Sequence, residues 1–190
     1  MQGYLTSPVE FLITTVFQLY IMLVMARFLF QWVRADFYNP ISQFLVKATN
    51  PPLLPLRRII PGWGGIDLAA VVLMLALQMI SLLIVLTLRS AGVPFETLLL
   101  WSLAELVGLG FNFFIFAIII QVVFSWINPG QYNPLTALLA NLTSPLLRPA
   151  RRLLPPISGI DLSPLLVLLA LQVMKMLIVP PLLHLAGVGR

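Results

Sequence analysis

Residues 51–88 read PPLLPLRRIIPGWGGIDLAAVVLMLALQMISLLIVLTL, and residues 145–182 read PLLRPARRLLPPISGIDLSPLLVLLALQVMKMLIVPPL. Laid over each other without a gap, at an offset of 94 residues, they share Pro51 with Pro145, Pro55 with Pro149, Arg57 and Arg58 with Arg151 and Arg152, and Pro61 with Pro155. Gly65-Ile66-Asp67-Leu68 then coincides with Gly159-Ile160-Asp161-Leu162, and Gln78 with Gln172. The same offset carries upstream, to Trp32 with Trp126 and to Tyr38-Asn39-Pro40 with Tyr132-Asn133-Pro134. Apolar runs match one another by composition alone. A polar loop held in register does not, so the chain is a tandem repeat, 1–93 and 94–190.

Each polar stretch runs into an apolar segment long enough to cross a hydrocarbon core of about 30 Å. The chain is 60% hydrophobic and 9% charged, against about 25% charged in a soluble domain. Water cannot be its solvent. Four segments qualify as spans, at about 11–33, 68–88, 104–127 and 162–184, with Leu98 to Ala104 expected to tilt or to lie at the interface before the third. The fold class is therefore an all-α membrane protein, two tandem helical hairpins with a short interfacial helix in the loop of each.

Charge sets the expected orientation. Arg34, Lys47, Arg57 and Arg58 lie between the first two spans, and Arg148, Arg151 and Arg152 between the last two. The middle loop has Arg89 beside Glu96, and the segment before the first span has no Lys or Arg. The positive-inside rule puts both long loops on the cytoplasmic side of the membrane and both termini on the outer side. The apolar stretch after Pro8 lacks the basic lead of a signal peptide and is expected to be retained.

Within each loop, Pro40 to Thr49 reads as a short helix with proline in its first turn and Ile41, Phe44, Leu45 and Ala48 on one face; Leu135, Leu138, Leu139 and Leu142 repeat the stripe. The prolines from Pro51 to Pro61 forbid a long helix there and predict a short turn between fixed corners. The Arg57-Arg58 and Arg151-Arg152 pairs are candidates for binding anionic lipid or protein partners, beside the simpler role of topogenic charge. Asp67 and Asp161, each just before an apolar run, are candidate helix caps that also reach an Arg of the preceding stretch, with Arg58 the charge to exchange against Asp67 in a test.

These loop motifs resemble the YggT family in its two-repeat bacterial form. The resemblance rests on Asn39-Pro40, Pro55 to Pro61 and Gly65 to Leu68, repeated 94 residues later, and covers nearly the whole chain. It implies an inner-membrane protein linked to osmotic or envelope stress, and it supplies no catalytic set.

Intramembrane polar residues mark packing seams or pathways. Gln78 and Gln172 lie eleven residues after their Asp and are expected to point into the bundle. Lys175, 13 residues past Leu162 or roughly 20 Å deep at helical rise, falls level with Asn112. Ser81 and Gln18 hold the matching places in the first copy. No cysteine is present and His184 stands alone, so no cofactor or metal is expected, and the carboxylates form no acid–base pair. Three or four cations per loop, broken by proline, suit headgroups better than nucleic acid. The expectation is a non-enzymatic scaffold or assembly factor with lipid, protein partners or a homo-oligomer around it; the alternative is a small oligomeric ion channel or modulator.

Overall fold

The computed structural model describes residues 2–127, 133–154 and 161–188. Tyr132, Pro155, Gly159 and Ile160 of the repeated motifs lie outside them. Among the described residues six helices follow one another: α1 Gln2–Trp32, α2 Pro40–Ile59, α3 Leu68–Leu88, α4 Phe95–Ile127, α5 Pro134–Leu153 and α6 Ser163–Leu185. Helices α1, α3, α4 and α6 are long and apolar enough to cross a bilayer. The third span needs no separate opening segment, because α4 runs unbroken from Phe95 through the Leu98 to Ala104 stretch.

The spans pack in chain order, α1 on α3, α3 on α4 and α4 on α6, while α6 does not pack against α1. Helix α2 lies against α1 and α3, α5 against α4 and α6, and α2 also meets α5. Each of these two helices opens the same way. Asn39 and Asn133 accept from the amides of Ile41 and Leu135 at 2.9 Å, followed by proline at the first helical position. Asn39 also donates from Nδ2 to the Pro134 carbonyl at 2.8 Å, fastening one helix start to the other.

Helix α2 corrects the sequence reading. It runs through Pro51, Pro52 and Pro55 without a break, where a stop near Thr49 was expected, and α5 does the same through Pro145 and Pro149. A proline at position i leaves the carbonyl of i−4 without its helical donor. Pro51, Pro55, Pro145 and Pro149 are all exposed, and Ser144 Oγ donates at 3.2 Å to Asn141 O, the carbonyl that Pro145 orphans. Pro52 is half-buried, and Tyr20 Oη on α1 donates to the Ala48 carbonyl it orphans at 3.3 Å. In the second copy leucine (Leu146) replaces that proline, and phenylalanine (Phe114) replaces the tyrosine. The hydroxyl is present where the carbonyl needs it and absent where it does not.

The docked face of α2 also differs from the expected stripe. Ser42, Leu45, Thr49 and Leu53 are buried, while Phe44 is 60% exposed. Two apolar cores result. One joins α1, α2 and α3 and takes in Leu106 and Ala117 of α4 and Leu138, Leu139 and Leu142 of α5. The other, built on Ile118, Leu147, Ala150, Val167 and Leu171, draws on the second repeat alone.

Candidate functional site

The docked stripe of α2, spaced three and four residues apart, continues from Leu53 to Arg57. Arg57 therefore faces the bundle and Arg58 faces away, exposed. Between α2 and α3 the chain turns back through Gly64 and Gly65, with φ of +61° and +83°, and Trp63 and Ile66 exchange backbone hydrogen bonds across the turn. That turn returns Asp67 to Arg57, whose Nε donates to Oδ2 at 3.2 Å. Asp67 Oδ1 accepts from the Ala70 amide at 3.3 Å, so one buried carboxylate caps α3 and clamps the loop. The expected exchange partner, Arg58, is replaced by its neighbour because a continuous helix turns each successive residue by about 100°.

The second copy builds the same clamp more openly. Arg151 Nε donates to Asp161 Oδ2 at 2.9 Å, and Oδ1 accepts from the Ser163 amide at 2.9 Å. Burial pushes the Asp161 carboxyl up, but Ser163 and the Arg151 guanidinium more than offset this and hold it below its ordinary value. Arg152, like Arg58, points outward.

A second arginine, Arg27, lies inside the first span. Arg27 is 8% exposed and donates to Thr49 Oγ1 at 2.7 Å, Asn50 Oδ1 at 2.8 Å and the Val46 carbonyl at 3.3 Å, pinning the middle of α2 to α1. In the second copy Gln121 meets the Thr143 hydroxyl in the same place. At the opposite end of the bundle Arg89 holds both carboxylate oxygens of Glu10, with Nη2 to Oε2 at 2.7 Å; the second copy has Leu183 and Ala104 there. The signal for both was a charged residue in an otherwise apolar segment.

Deep in the bundle, Lys175 Nζ donates to Asn112 Oδ1 at 2.7 Å. Both line a cavity of about 160 Å³, together with Gln18 of α1, Gln78 of α3 and Glu105 of α4, which accepts from Trp101 Nε1 at 3.4 Å. Polar side chains from all four spans thus line one cavity. Gln172 does not join them. It is exposed on the outer face of α6, against the expectation that both glutamines point inward. Gln78 is covered because α4 packs against α3 and shares its cavity, whereas Gln172 is turned to a face of α6 that no described helix covers. Among the described residues no three His, Asp or Glu side chains converge on a metal position, and His184 is exposed near the end of α6.

The comparisons agree with the repeat. A family model described as CCB3/YggT matches residues 6–88 and again 100–182, both ends displaced by 94 residues. An uncharacterized Pseudomonas aeruginosa protein is 45% identical over 185 residues, covering 96% of this chain and 94% of that one. An uncharacterized Vibrio alginolyticus protein is 40% identical, covering 87% and 90%. The Escherichia coli K12 protein YggT, also uncharacterized, is 38% identical over 170 residues, covering 90% and 88%. No solved structure matches the chain.

Proposed function

Since the chain belongs to the CCB3/YggT family, a family without an assigned activity among these relatives, we propose from its architecture that it works without catalysis, as a scaffold in the bacterial inner membrane. The observation that carries this reading is the division of labour within each arginine pair. Arg57 and Arg151 are spent on holding α2 and α5 against the spans, which leaves Arg58 and Arg152 displayed on a fixed surface. Exposed Ile59 and Leu153 follow them in the chain, and exposed Trp63 stands in the turn after α2, a mixture of apolar groups and cations that fits headgroups and the membrane-proximal surface of another protein. The density of Lys and Arg at this end supports a cytoplasmic position for it, with both termini in the periplasm. The setting we assign, from the family resemblance, is osmotic or envelope stress.

A photo-crosslinking residue at Arg58 or Arg152 in living cells tests this. The expected result is an adduct with one defined membrane protein, lost when Arg57→Ala releases the platform. An ion conductance of the purified protein with no such adduct would overturn it. The channel reading has one observation in its favour, the polar cavity at Lys175. Its lining on α4 runs only from Ala104 to Asn112, about 12 Å of axial length against a core of about 30 Å. That is a pocket and not a passage. Potassium flux in liposomes, abolished by Lys175→Leu, would nevertheless decide for it.

A further inference from the structure

A second cavity, of about 310 Å³, opens where α1 ends and α2 begins. Arg27, Arg34 and Arg57 line it, with Gln31 and Ser42 between them. We infer that it is a binding site for a phosphate-bearing anion, held by these three guanidinium groups and the Ser42 hydroxyl.

Charge balance is the first argument. Three arginines and no carboxylate line the cavity; of the two carboxylates next to lining residues, Asp67 is engaged by Arg57, and Asp36, exposed, accepts from the Tyr38 amide at 2.9 Å. Arg27 is almost fully buried, and the partners of its guanidinium, a carbonyl, a hydroxyl and an amide, are all neutral. Buried Arg27 and exposed Arg34 thus line one cavity whose wall holds no anion, and a bound anion would offset the desolvated charge of Arg27. Ser42 gives the second argument. It is 8% exposed, and its Oγ finds no partner among the described residues. It is the third residue of α2, in the first turn, where helix amides and the helix dipole favour negative charge. Arg34 gives the third. Ala35 N bonds Phe30 O at 2.8 Å and Arg34 N bonds Gln31 O at 3.1 Å, the closing pattern in which glycine ordinarily takes the left-handed position. Here an arginine takes it, at φ +53°. A side chain that a relaxed helix end would not choose lies on the cavity wall.

The second repeat serves as an internal control. Its residues at the places of Arg27, Arg34 and Gln31 are Gln121, Asn128 and Ser125, and only Arg151 retains the charge of Arg57. Ser42 is matched by Thr136, whose hydroxyl donates to the Asn133 carbonyl at 2.8 Å. The charge and the unpaired hydroxyl vanish together, so the site belongs to the first repeat. The ligand chemistry is a phosphate oxygen set, which paired guanidinium forks grip in two-pronged fashion; an anionic phospholipid and free phosphate both offer it.

The test uses the full-length protein in neutral detergent, titrated separately with short-chain phosphatidic acid, short-chain phosphatidylcholine and inorganic phosphate, and followed by native mass spectrometry and melting temperature. Saturable binding of phosphatidic acid over phosphatidylcholine, not displaced by phosphate, identifies a lipid headgroup; displacement by phosphate identifies the free anion. Either supports the site provided that Ser42→Ala and Arg34→Gly each weaken it about tenfold. Arg34→Gly is the decisive variant, since it relaxes the backbone and should raise the melting temperature of the unliganded protein while lowering affinity. Absence of saturable binding overturns the inference. So does binding that Arg58→Ala weakens and Arg34→Gly leaves unchanged, since that is attraction to the exposed surface. The scaffold reading stands or falls separately.

Discussion

Replacing Tyr20 by phenylalanine removes one hydroxyl from α1 and leaves the Ala48 carbonyl with no donor, because Pro52 offers no amide. An unsatisfied polar group in apolar surroundings costs about 1–3 kcal/mol, and interhelical bonds in membranes average about 0.6 kcal/mol. At 3.3 Å the bond is long, so we expect Tyr20→Phe to cost about 1 kcal/mol. In a Pro52→Leu background the leucine amide reaches the same carbonyl along the helix, and the tyrosine becomes dispensable. Tyr20→Phe should then cost close to nothing, giving a coupling of about 1 kcal/mol between two residues on different helices. The double variant carries the residues that the second copy has at Phe114 and Leu146. Unfolding in mixed dodecylmaltoside and SDS micelles, followed by tryptophan fluorescence, reads all four corners of the cycle. Equal costs for Tyr20→Phe in both backgrounds, within about 0.3 kcal/mol, would refute the carbonyl argument.

Three further outcomes follow from the same geometry. Arg57→Ala strands a carboxylate that is 6% exposed and should cost about 2 kcal/mol, whereas Arg151→Ala, whose partner is 34% exposed, should cost less than about 1 kcal/mol; the same micelle assay ranks them. Asp161 has a lowered folded-state value, so its contribution is present above the ordinary carboxylate range of about 4 and lost as pH falls through the folded value. The stability gap between the native chain and Asp161→Asn should accordingly be open at neutral pH and close in acid, as read from unfolding midpoints across a pH series. Gln172→Leu, on the outer face of α6, should leave stability unchanged or raise it, while Gln78→Leu in the polar cavity should cost about 1 kcal/mol.

The spans, the repeat and the capping aspartates of the clamps were legible in the sequence, because hydropathy and register are carried by consecutive residues. Depth arithmetic also brought Lys175 to the level of Asn112, with which it is hydrogen-bonded. What was not legible depended on neighbours distant in the chain. Prolines normally end a helix, and α2 survives its half-buried Pro52 with Tyr20, 32 positions earlier, answering the carbonyl it orphans. The choice between Arg57 and Arg58 followed from α2 being continuous. Gln172 misled because the register of a repeat fixes a residue's angle on its helix, not whether another helix stands opposite. The convergence of Gln18, Gln78 and Glu105 on Lys175 likewise required the packing order of the spans.

The two apolar cores are unequal in what they borrow. Leu138, Leu139 and Leu142 of α5 complete the core of the first repeat, while the second core takes nothing from the first half. A ribosome releases the borrowing half first. Until residue 142 has left the exit tunnel, α1 and α2 sit in the lipid with the apolar surface that α5 covers still open, and the last-made half is the one that can close it.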